Sequence, residues 1–143
     1  MASQLSLFII FAFSMIAIEE AKVFKRCEMA KILVRNGFPR REIPNWLCLI
    51  RHESNFNSRA TNRNKNGSKD HGIFQINDRY WCSPPGPHND CNVKCSSLLD
   101  DNIADDMRCA KIIYRRHKFN AWYGWKNHCR GRNLQQYVKD CKY

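Results

Sequence analysis

The sequence predicts an α+β fold: a mainly helical domain with one small antiparallel sheet inserted and four disulfide bonds. Apolar residues recur at helical spacing in three segments of the chain. A stretch between the second and third of these segments, residues 61–77, is instead rich in turn and strand formers. Eight cysteines follow an apolar N-terminal segment. An even number of cysteines in that position is typical of a small secreted domain held together by disulfide bonds.

The N-terminal segment from Leu5 to Ile18 is an almost unbroken apolar run. It is too short to cross a bilayer comfortably as a helix, which favours a secretory signal over the alternative, a retained membrane anchor. Ala21 is the best small residue beside the change in composition. We therefore predict that residues 1–21 are removed and that residues 22–143 form a single secreted domain, without stable membrane insertion.

The predicted mature chain is strongly basic. The full chain has a formal net charge of +11, and the only charged residues of the predicted signal are Glu19 and Glu20, so their removal raises the charge to +13. Such a surface attracts anionic surfaces and polymers, although a merely soluble cationic surface is the alternative. Nothing in the sequence indicates a specific nucleic-acid partner or oligomerisation, so we expect a monomer.

Three long helices and a short helical tail are predicted. The first helix spans residues 27–36 and ends at Gly37, a residue typical of helix ends. The second begins at a proline and covers residues 44–54. The third covers residues 103–114, and residues 122–141 are predicted to form short helical turns.

The predicted sheet lies between the second and third helices. The dipeptide Asn66-Gly67 predicts a type I′ hairpin turn, and Ile73, Phe74 and Ile76 are strand formers. A proline-rich loop bounded by cysteines, residues 82–91, follows the sheet.

The cysteine spacing alone leaves the disulfide connectivity open, because eight cysteines allow about 105 pairings. Zinc binding is the competing interpretation. Cys91 and Cys95 have a loosely zinc-like spacing, but no further cysteine and histidine set of finger spacing follows them. Disulfide bonds are therefore the prediction.

Two carboxylic acids, Glu53 and Asp70, are predicted to lie in contrasting environments. Glu53 closes an apolar helix, whereas Asp70 lies among amide side chains in the hairpin. Hydrolysis of a glycosidic bond needs such a contrast: one carboxylic acid stays protonated as the general acid and one carboxylate stays ionised. Taken alone the pattern is only suggestive, because acids at helix ends and turns are usually solvated surface residues.

Three blocks of sequence resemble the C-type lysozymes, and insect members in particular. They are Cys48 to Asn57, Asn66 to Asn77 (continuing through Cys82), and Asn120 to Trp125, and the eight cysteines fall in register. The similarity covers the whole predicted mature chain, so the resemblance implies the lysozyme-like α+β fold.

The resemblance implies a role for each site residue. Glu53 would be the general acid and Asp70 the nucleophile or electrostatic partner, with retention of anomeric configuration and no cofactor. Trp122 would be the apolar wall that raises the pKa of Glu53. The implied substrate is the β-1,4 bond of bacterial peptidoglycan. The implied substrate-contacting residues are Asn62, Asn64, Gln75, Asn77, Tyr80, Trp81, Ala121 and Trp122.

The resemblance also implies a disulfide connectivity. The implied pairs are Cys27–Cys141, Cys48–Cys129, Cys82–Cys95 and Cys91–Cys109.

Two positions depart from the family pattern. His71 replaces the tyrosine common beside the catalytic aspartate. If His71 titrates near Asp70, it would reshape the pH dependence of the enzymatic activity. The alternative is that it faces solvent. The basic run from Arg115 to Lys118 occupies a stretch that often carries acidic and amide groups, which leaves specificity at the distal sugar site open.

An acidic segment at the start of the third helix is a candidate calcium site. It resembles the calcium-binding loop of some family members, and calcium prefers oxygen ligands. The alternative is that these acids complement the helix dipole. The predicted ligands are the side chains of Asp100, Asp105 and Asp106 with the carbonyls of Ser97 and Asn102.

Two other functional interpretations stay open from the sequence. One is a non-catalytic relative that binds sugar or calcium, and the other is a cationic protein that kills by disrupting anionic membranes. Asn66-Gly67-Ser68 is also an N-glycosylation sequon beside the predicted cleft.

Overall fold

The computed structural model describes residues 21–143, so the predicted signal segment, apart from Ala21, lies outside the described residues. The predicted fold class is confirmed: four α-helices carry one three-stranded antiparallel sheet. The helices are α1 (Arg26–Arg35), α2 (Ile43–Ser54), α3 (Ala104–His117) and α4 (Tyr123–His128). The strands are β1 (Thr61–Arg63), β2 (Lys69–His71) and β3 (Ile76–Asn77). Short 3₁₀ turns at Arg40–Glu42, Cys95–Leu98, Lys118–Ala121 and Gln135–Tyr137 complete the structure, and the last agrees with the predicted helical tail.

Helix α2 carries the first predicted acid and has clear start and stop signals. Pro44 occupies its first turn, where the missing N–H costs no helical hydrogen bond. Asn55 ends the helix in the left-handed conformation, with φ of 52°. Glu53 therefore lies in the last turn of a helix whose preceding residues are mostly buried.

The sheet is ordered β1-β2-β3, and its register aligns three polar side chains. Asn62 on β1 is opposite Asp70 on β2, which is opposite Asn77 on β3. Side chains directly across antiparallel strands share one face. The pairing therefore places both amides beside the carboxylate of Asp70.

The predicted type I′ turn at Asn66-Gly67 is wrong. A type I′ turn requires positive φ at both central residues, and of the two only Gly67 has it. Instead the Gly67 N–H donates to the Asn64 carbonyl at 3.0 Å, and the Asn64 N–H donates to the Ser68 carbonyl at 2.8 Å. The hairpin loop is one residue longer, with the glycine in the left-handed position that closes it.

The prediction of a strand at Ile73 and Phe74 is also wrong, although Ile76 does lie in β3. Both side chains are fully buried. A strand would place neighbouring side chains on opposite faces of the sheet, one toward the cleft and one toward the core. The chain turns here instead, between Gly72 and Gln75, and so directs both side chains into the core.

The core is centred on the buried indole of Trp46. Its ring contacts Phe38, Phe74, Phe119 and Trp122 with centroid separations of 4.9 to 5.9 Å, mostly edge to face. These rings come from the segment after α1, the β2–β3 turn, and the segment between α3 and α4. The packing of Trp46 thus joins the helices to the sheet.

Four disulfide bonds link the described residues, and no cysteine among them is free. The pairs are Cys27–Cys141, Cys48–Cys129, Cys82–Cys95 and Cys91–Cys109. They are the pairs that the family resemblance implies. Bonds spanning 114 and 81 residues constrain the unfolded chain strongly, because closure of long loops removes much of its entropy.

Replacing Gly72 with alanine should destabilise the fold by about 3 kcal/mol or more. Gly72 has φ of +75°, and an added Cβ would meet the Leu98 carbonyl oxygen and, at 2.6 Å, the Asp106 carboxylate. Gly67→Ala is the matched control: its φ is +87° but no atom lies within 4 Å of the added Cβ, so about 1 kcal/mol is expected. Guanidinium unfolding measures both changes, and equal losses would contradict the steric argument.

Candidate active site

A cleft of about 750 Å³ lies between the sheet and the helices. It brings together every residue that the sequence predicts as catalytic or substrate-contacting. These are Glu53, Asn62, Asn64, Asp70, Gln75, Asn77, Tyr80, Trp81, Ala121 and Trp122. The cleft is therefore the candidate active site.

Glu53 enters the cleft from the last turn of α2 and is largely desolvated. Burial, the largest effect, raises the pKa of Glu53 to about 7, and the negative charge of Asp70 contributes in the same direction. The Gly124 N–H donates to Oε1 at 2.9 Å and opposes the rise only in part. Glu53 therefore keeps its proton to a higher pH than an ordinary carboxylic acid does.

Asp70 lies in the opposite kind of environment, among hydrogen-bond donors. Asn64 Nδ2 donates to one carboxylate oxygen at 3.1 Å, and Asn77 Nδ2 donates to the other at 2.8 Å. Both amides also donate to the hydroxyl of Ser68, at 3.2 and 2.9 Å. Asp70 is therefore surrounded by hydrogen-bond donors, whereas Glu53 is largely desolvated. The two acids lie in contrasting environments, as the sequence predicts.

His71 does not lie beside the Asp70 carboxylate, and the alternative that it faces solvent is wrong. Its side chain is buried, with Nε2 3.2 Å from the carboxylate of Asp78. Successive side chains of a strand alternate between faces, so the histidine next to Asp70 in sequence points to the other side of β2.

Trp122 is buried and fixed by its own hydrogen bond. Its indole N–H donates to the Phe74 carbonyl at 2.8 Å, which ties the Trp122 segment to the β2–β3 turn. It lines the cleft together with Glu53, in agreement with the predicted apolar wall.

Gln75 lines the cleft, but its side-chain amide is hydrogen-bonded to the backbone. Its side-chain amide donates to the carbonyls of Ala60 and Gly72 at 2.9 and 2.8 Å. Its role in the described structure is to hold the β2–β3 turn, whereas Tyr80 and Trp81 present partly exposed rings to the cleft.

The site residues missing from the sequence prediction include Ser68, Tyr123 and Gly124. Ser68 organises the amides around Asp70, and Tyr123 is a cleft-lining aromatic with 74% of its surface exposed. Tyr123 and Gly124 lie inside the third block that resembles the lysozymes, which was the available signal. The Gly124 contact is made by a backbone N–H, and side-chain patterns do not reveal such contacts.

The acidic segment does not assemble a ligand cluster in this structure. Among residues 21–143, only His71, Cys82 and Cys95 place three metal-ligating side chains within 4.8 Å of one another, and these cysteines form a disulfide. The predicted convergence of the three aspartates is therefore not observed. Asp105 lies 3.7 Å from Arg108, and the Asp106 side chain is fully buried.

Asp106 is nevertheless an unusual carboxyl group. Neither of its oxygens makes a hydrogen bond of normal geometry. Burial, and to a lesser extent the charges of Asp100 and Asp105, raise its pKa to about 8 despite nearby backbone amides. A buried carboxylate of this kind needs either a proton or a cation for charge compensation.

Comparison with known proteins identifies the family. Residues 22–141 match the model of the C-type lysozyme/alpha-lactalbumin family. The chain is 54% identical to lysozyme c-1 of Anopheles gambiae over 125 residues, which covers 87% of this chain and 89% of that protein. It is 55% identical to a lysozyme of Bombyx mori over 125 residues, 86% of this chain and 91% of that protein. The chain belongs to the C-type lysozyme/alpha-lactalbumin family.

The similarity extends to vertebrate proteins at lower identity. Lysozyme C of Ortalis vetula is 45% identical over 128 residues, 85% of this chain and 99% of that protein. The predicted resemblance to insect members in particular is confirmed by the higher identities of the mosquito and silkworm proteins.

Replacing Glu53 with glutamine should stabilise the protein in a pH-dependent way. The pKa of Glu53 is raised from 4.5 to about 7 in the folded state. Between these pH values the carboxyl group is ionised in the unfolded chain but still protonated in the folded chain, so the free energy of unfolding falls as the pH rises. We expect the stability of Glu53→Gln relative to the parent to be about 3 kcal/mol higher at pH 8 than at pH 4. Guanidinium unfolding at both pH values measures the difference.

Glu28→Gln is the control for this experiment. The hydrogen bond from Lys22 lowers the pKa of Glu28, so the ionised carboxylate stabilises the folded state at pH values above the ordinary carboxyl pKa. This stability is lost as the pH falls, so Glu28→Gln should show the opposite pH dependence to Glu53→Gln. A pH-independent effect at Glu53 would contradict the burial of its carboxyl group.

Proposed function

We infer that this chain is a lysozyme, a glycoside hydrolase that cleaves the β-1,4 bonds between N-acetylmuramic acid and N-acetylglucosamine in bacterial peptidoglycan. The observation that carries the proposal is the pair of acids in one cleft. Burial raises the pKa of Glu53 to about 7, whereas two amide donors surround the Asp70 carboxylate. The lysozymes at 54–55% identity support the same reaction.

In the proposed mechanism Glu53 donates its proton to the glycosidic oxygen. Because the Gly124 N–H occupies Oε1, the transferable proton resides on Oε2. Asp70 attacks the anomeric carbon, or stabilises its positive charge, as the leaving sugar departs. Deprotonated Glu53 then activates a water molecule that releases the product with retained configuration. Ionisation of Glu53 removes the general acid, so the rate falls as pH rises through about 7.

The proposed substrate contacts follow from the cleft lining. Tyr80 and Trp81 offer ring faces to pyranose rings, and Asn62 offers an exposed amide on β1. Ala121 and Trp122 form the wall beside Glu53.

A non-catalytic role is not favoured by any observation. Both acids and the amides that surround Asp70 are present and assembled. Killing by membrane disruption alone predicts that activity is independent of Glu53, which the following experiment tests.

Glu53→Gln should reduce clearing of a Gram-positive cell suspension by at least about 100-fold, because a positioned general acid contributes about that much or more. Asp70→Asn should also lose most activity, since the amide keeps the shape but not the charge. Glu28→Gln, on α1 outside the cleft, should clear as fast as the parent. Equal clearing by the parent and Glu53→Gln would refute the catalytic assignment.

Secretion after removal of residues 1–21 is also proposed. No helix within residues 21–143 has the length and apolarity needed to span a membrane. The family match begins at residue 22. The backbone nitrogen of Lys22 lies 3.3 Å from the Asp101 carboxylate, which also accepts a hydrogen bond from the Ser58 hydroxyl at 2.8 Å. Cleavage before Lys22 would place a new ammonium group directly beside that carboxylate.

Calcium binding at the acidic segment stays a prediction. Its support is the buried, uncompensated Asp106, with Asp100, Asp105 and two backbone carbonyls as the other proposed oxygens. Calcium, which catalysis does not require, would neutralise these carboxylates and stabilise the folded state.

If the segment binds calcium, the melting temperature of the protein should rise on addition of calcium chloride and fall with a chelator, because an ion that binds the folded state stabilises it against unfolding. Asp105→Asn should abolish the response, and magnesium chloride at equal ionic strength is the control. An unchanged melting temperature would exclude the site.

A further inference from the structure

Three aromatic side chains of the cleft have a cation against the ring. The Arg79 guanidinium lies 5.7 Å from the ring centroid of Tyr80, and the Arg116 guanidinium lies 5.4 Å from that of Trp81. Their counterpart beside Glu53 is Tyr123, with the Lys126 ammonium 3.9 Å from its ring centroid. These distances allow an attraction between each cation and the electron-rich ring face.

Packing does not explain two of these rings. Tyr80 is 51% exposed and Tyr123 is 74% exposed, which makes them the most exposed aromatic rings among the described residues. Both line the cleft. Exposed rings beside catalytic acids are suited to contact a sugar, and a cation held at the ring then lies within reach of groups attached to that sugar.

The three cations differ in how far their charge is already compensated. Arg116 forms an ion pair with Asp90, so its main effect is to hold the Trp81 ring in place. Arg79 and Lys126 form no ion pair with any other residue within 21–143. Neither lines the cleft itself, but each lies against an exposed ring that does. Lys65, a further cation, lines the same cleft.

The two acids line the cleft, whereas Arg79 and Lys126 lie beside its exposed rings, at the rim and outside the lining. The two acids lie at the centre, where Asp70 needs its negative charge. A polymer that carried carboxylates close to the scissile bond would be repelled by that centre, unless its charged groups met cations at the rim. A neutral polymer with the same sugar backbone gains nothing from those cations.

We propose that Arg79 and Lys126 are specificity-determining residues that select a glycan strand bearing negative charge over a neutral strand of the same β-1,4 backbone. The charged groups would be the carboxylates of the peptides that branch from alternate sugars of peptidoglycan. The neutral competitor is a chain of N-acetylglucosamine alone. This inference rests on the proposed glycan-cleaving function, and it assigns the two cations a role that the fold does not require.

The test compares the double variant R79Q/K126Q with the parent on two soluble substrates: uncrosslinked peptidoglycan strands and a neutral N-acetylglucosamine hexamer. At low ionic strength kcat/KM on peptidoglycan should fall about fivefold, mainly through KM, because the lost charges act on binding. On the neutral hexamer kcat/KM should change less than about twofold. Added salt should reduce the difference between parent and variant, since exposed charges are screened.

Two control variants isolate the position of the charge. K31Q/R35Q removes the same charge from exposed residues of α1 that contact no aromatic ring of the cleft, and should leave both substrates unaffected. R79K/K126R keeps both charges and should restore activity on peptidoglycan. Melting temperatures of all variants should match that of the parent.

Each adverse outcome has a distinct meaning. Equal losses on both substrates, or an equal loss in K31Q/R35Q, would overturn the selectivity proposal. If Glu53→Gln cleaved either substrate as fast as the parent, the proposed function itself would fail.

Discussion

The packing of Trp46 is the constraint on which the geometry of the cleft depends. Its indole contacts Phe74 in the β2–β3 turn and Trp122 beside the cleft, and Trp122 donates its own N–H to the Phe74 carbonyl. Glu53 lies about two helical turns after Trp46 on the same helix. The sheet that carries Asp70, the helix that carries Glu53 and the Trp122 segment are therefore joined through one buried side chain, which fixes the separation of the two acids.

The two acids differ in environment because of their positions in the fold. Glu53 lies in the last turn of a buried helix, where the α4 segment covers it and supplies one backbone N–H from Gly124. Asp70 lies in the middle strand of a small, partly exposed sheet, where Asn64 and Asn77 reach it from either side. Desolvation acts on the first acid, whereas hydrogen-bond donors surround the second.

Local signals predict the helices, the sheet insertion and the contrast between Glu53 and Asp70, because the proline at the start of α2 and the amide-rich hairpin depend on nearby sequence. The other predicted cleft residues, such as Tyr80 and Trp122, come from the family resemblance. The failures arise where tertiary packing overrides local preference. Ile73 and Phe74 favour strands, but the core needs both side chains and the chain turns there. The burial of Asp106 and the backbone contact made by Gly124 depend on segments distant in sequence, and no local pattern contains them.

For the proposed glycan substrate, the Ser68 hydroxyl beside the hairpin loop limits how a sugar could bind. Ser68 donates its single hydrogen to Asn66 and accepts from Asn64 and Asn77, so each of those two amides directs one hydrogen at the serine and the other at Asp70. The side-chain oxygen of Asn77, Oδ1, already accepts the backbone N–H of residue 79. Neither amide has a spare hydrogen to give. A sugar entering on this side can therefore act toward these two side chains only as a donor, through its hydroxyl and N–H groups, which gives the recognition surface a fixed polarity before any substrate arrives.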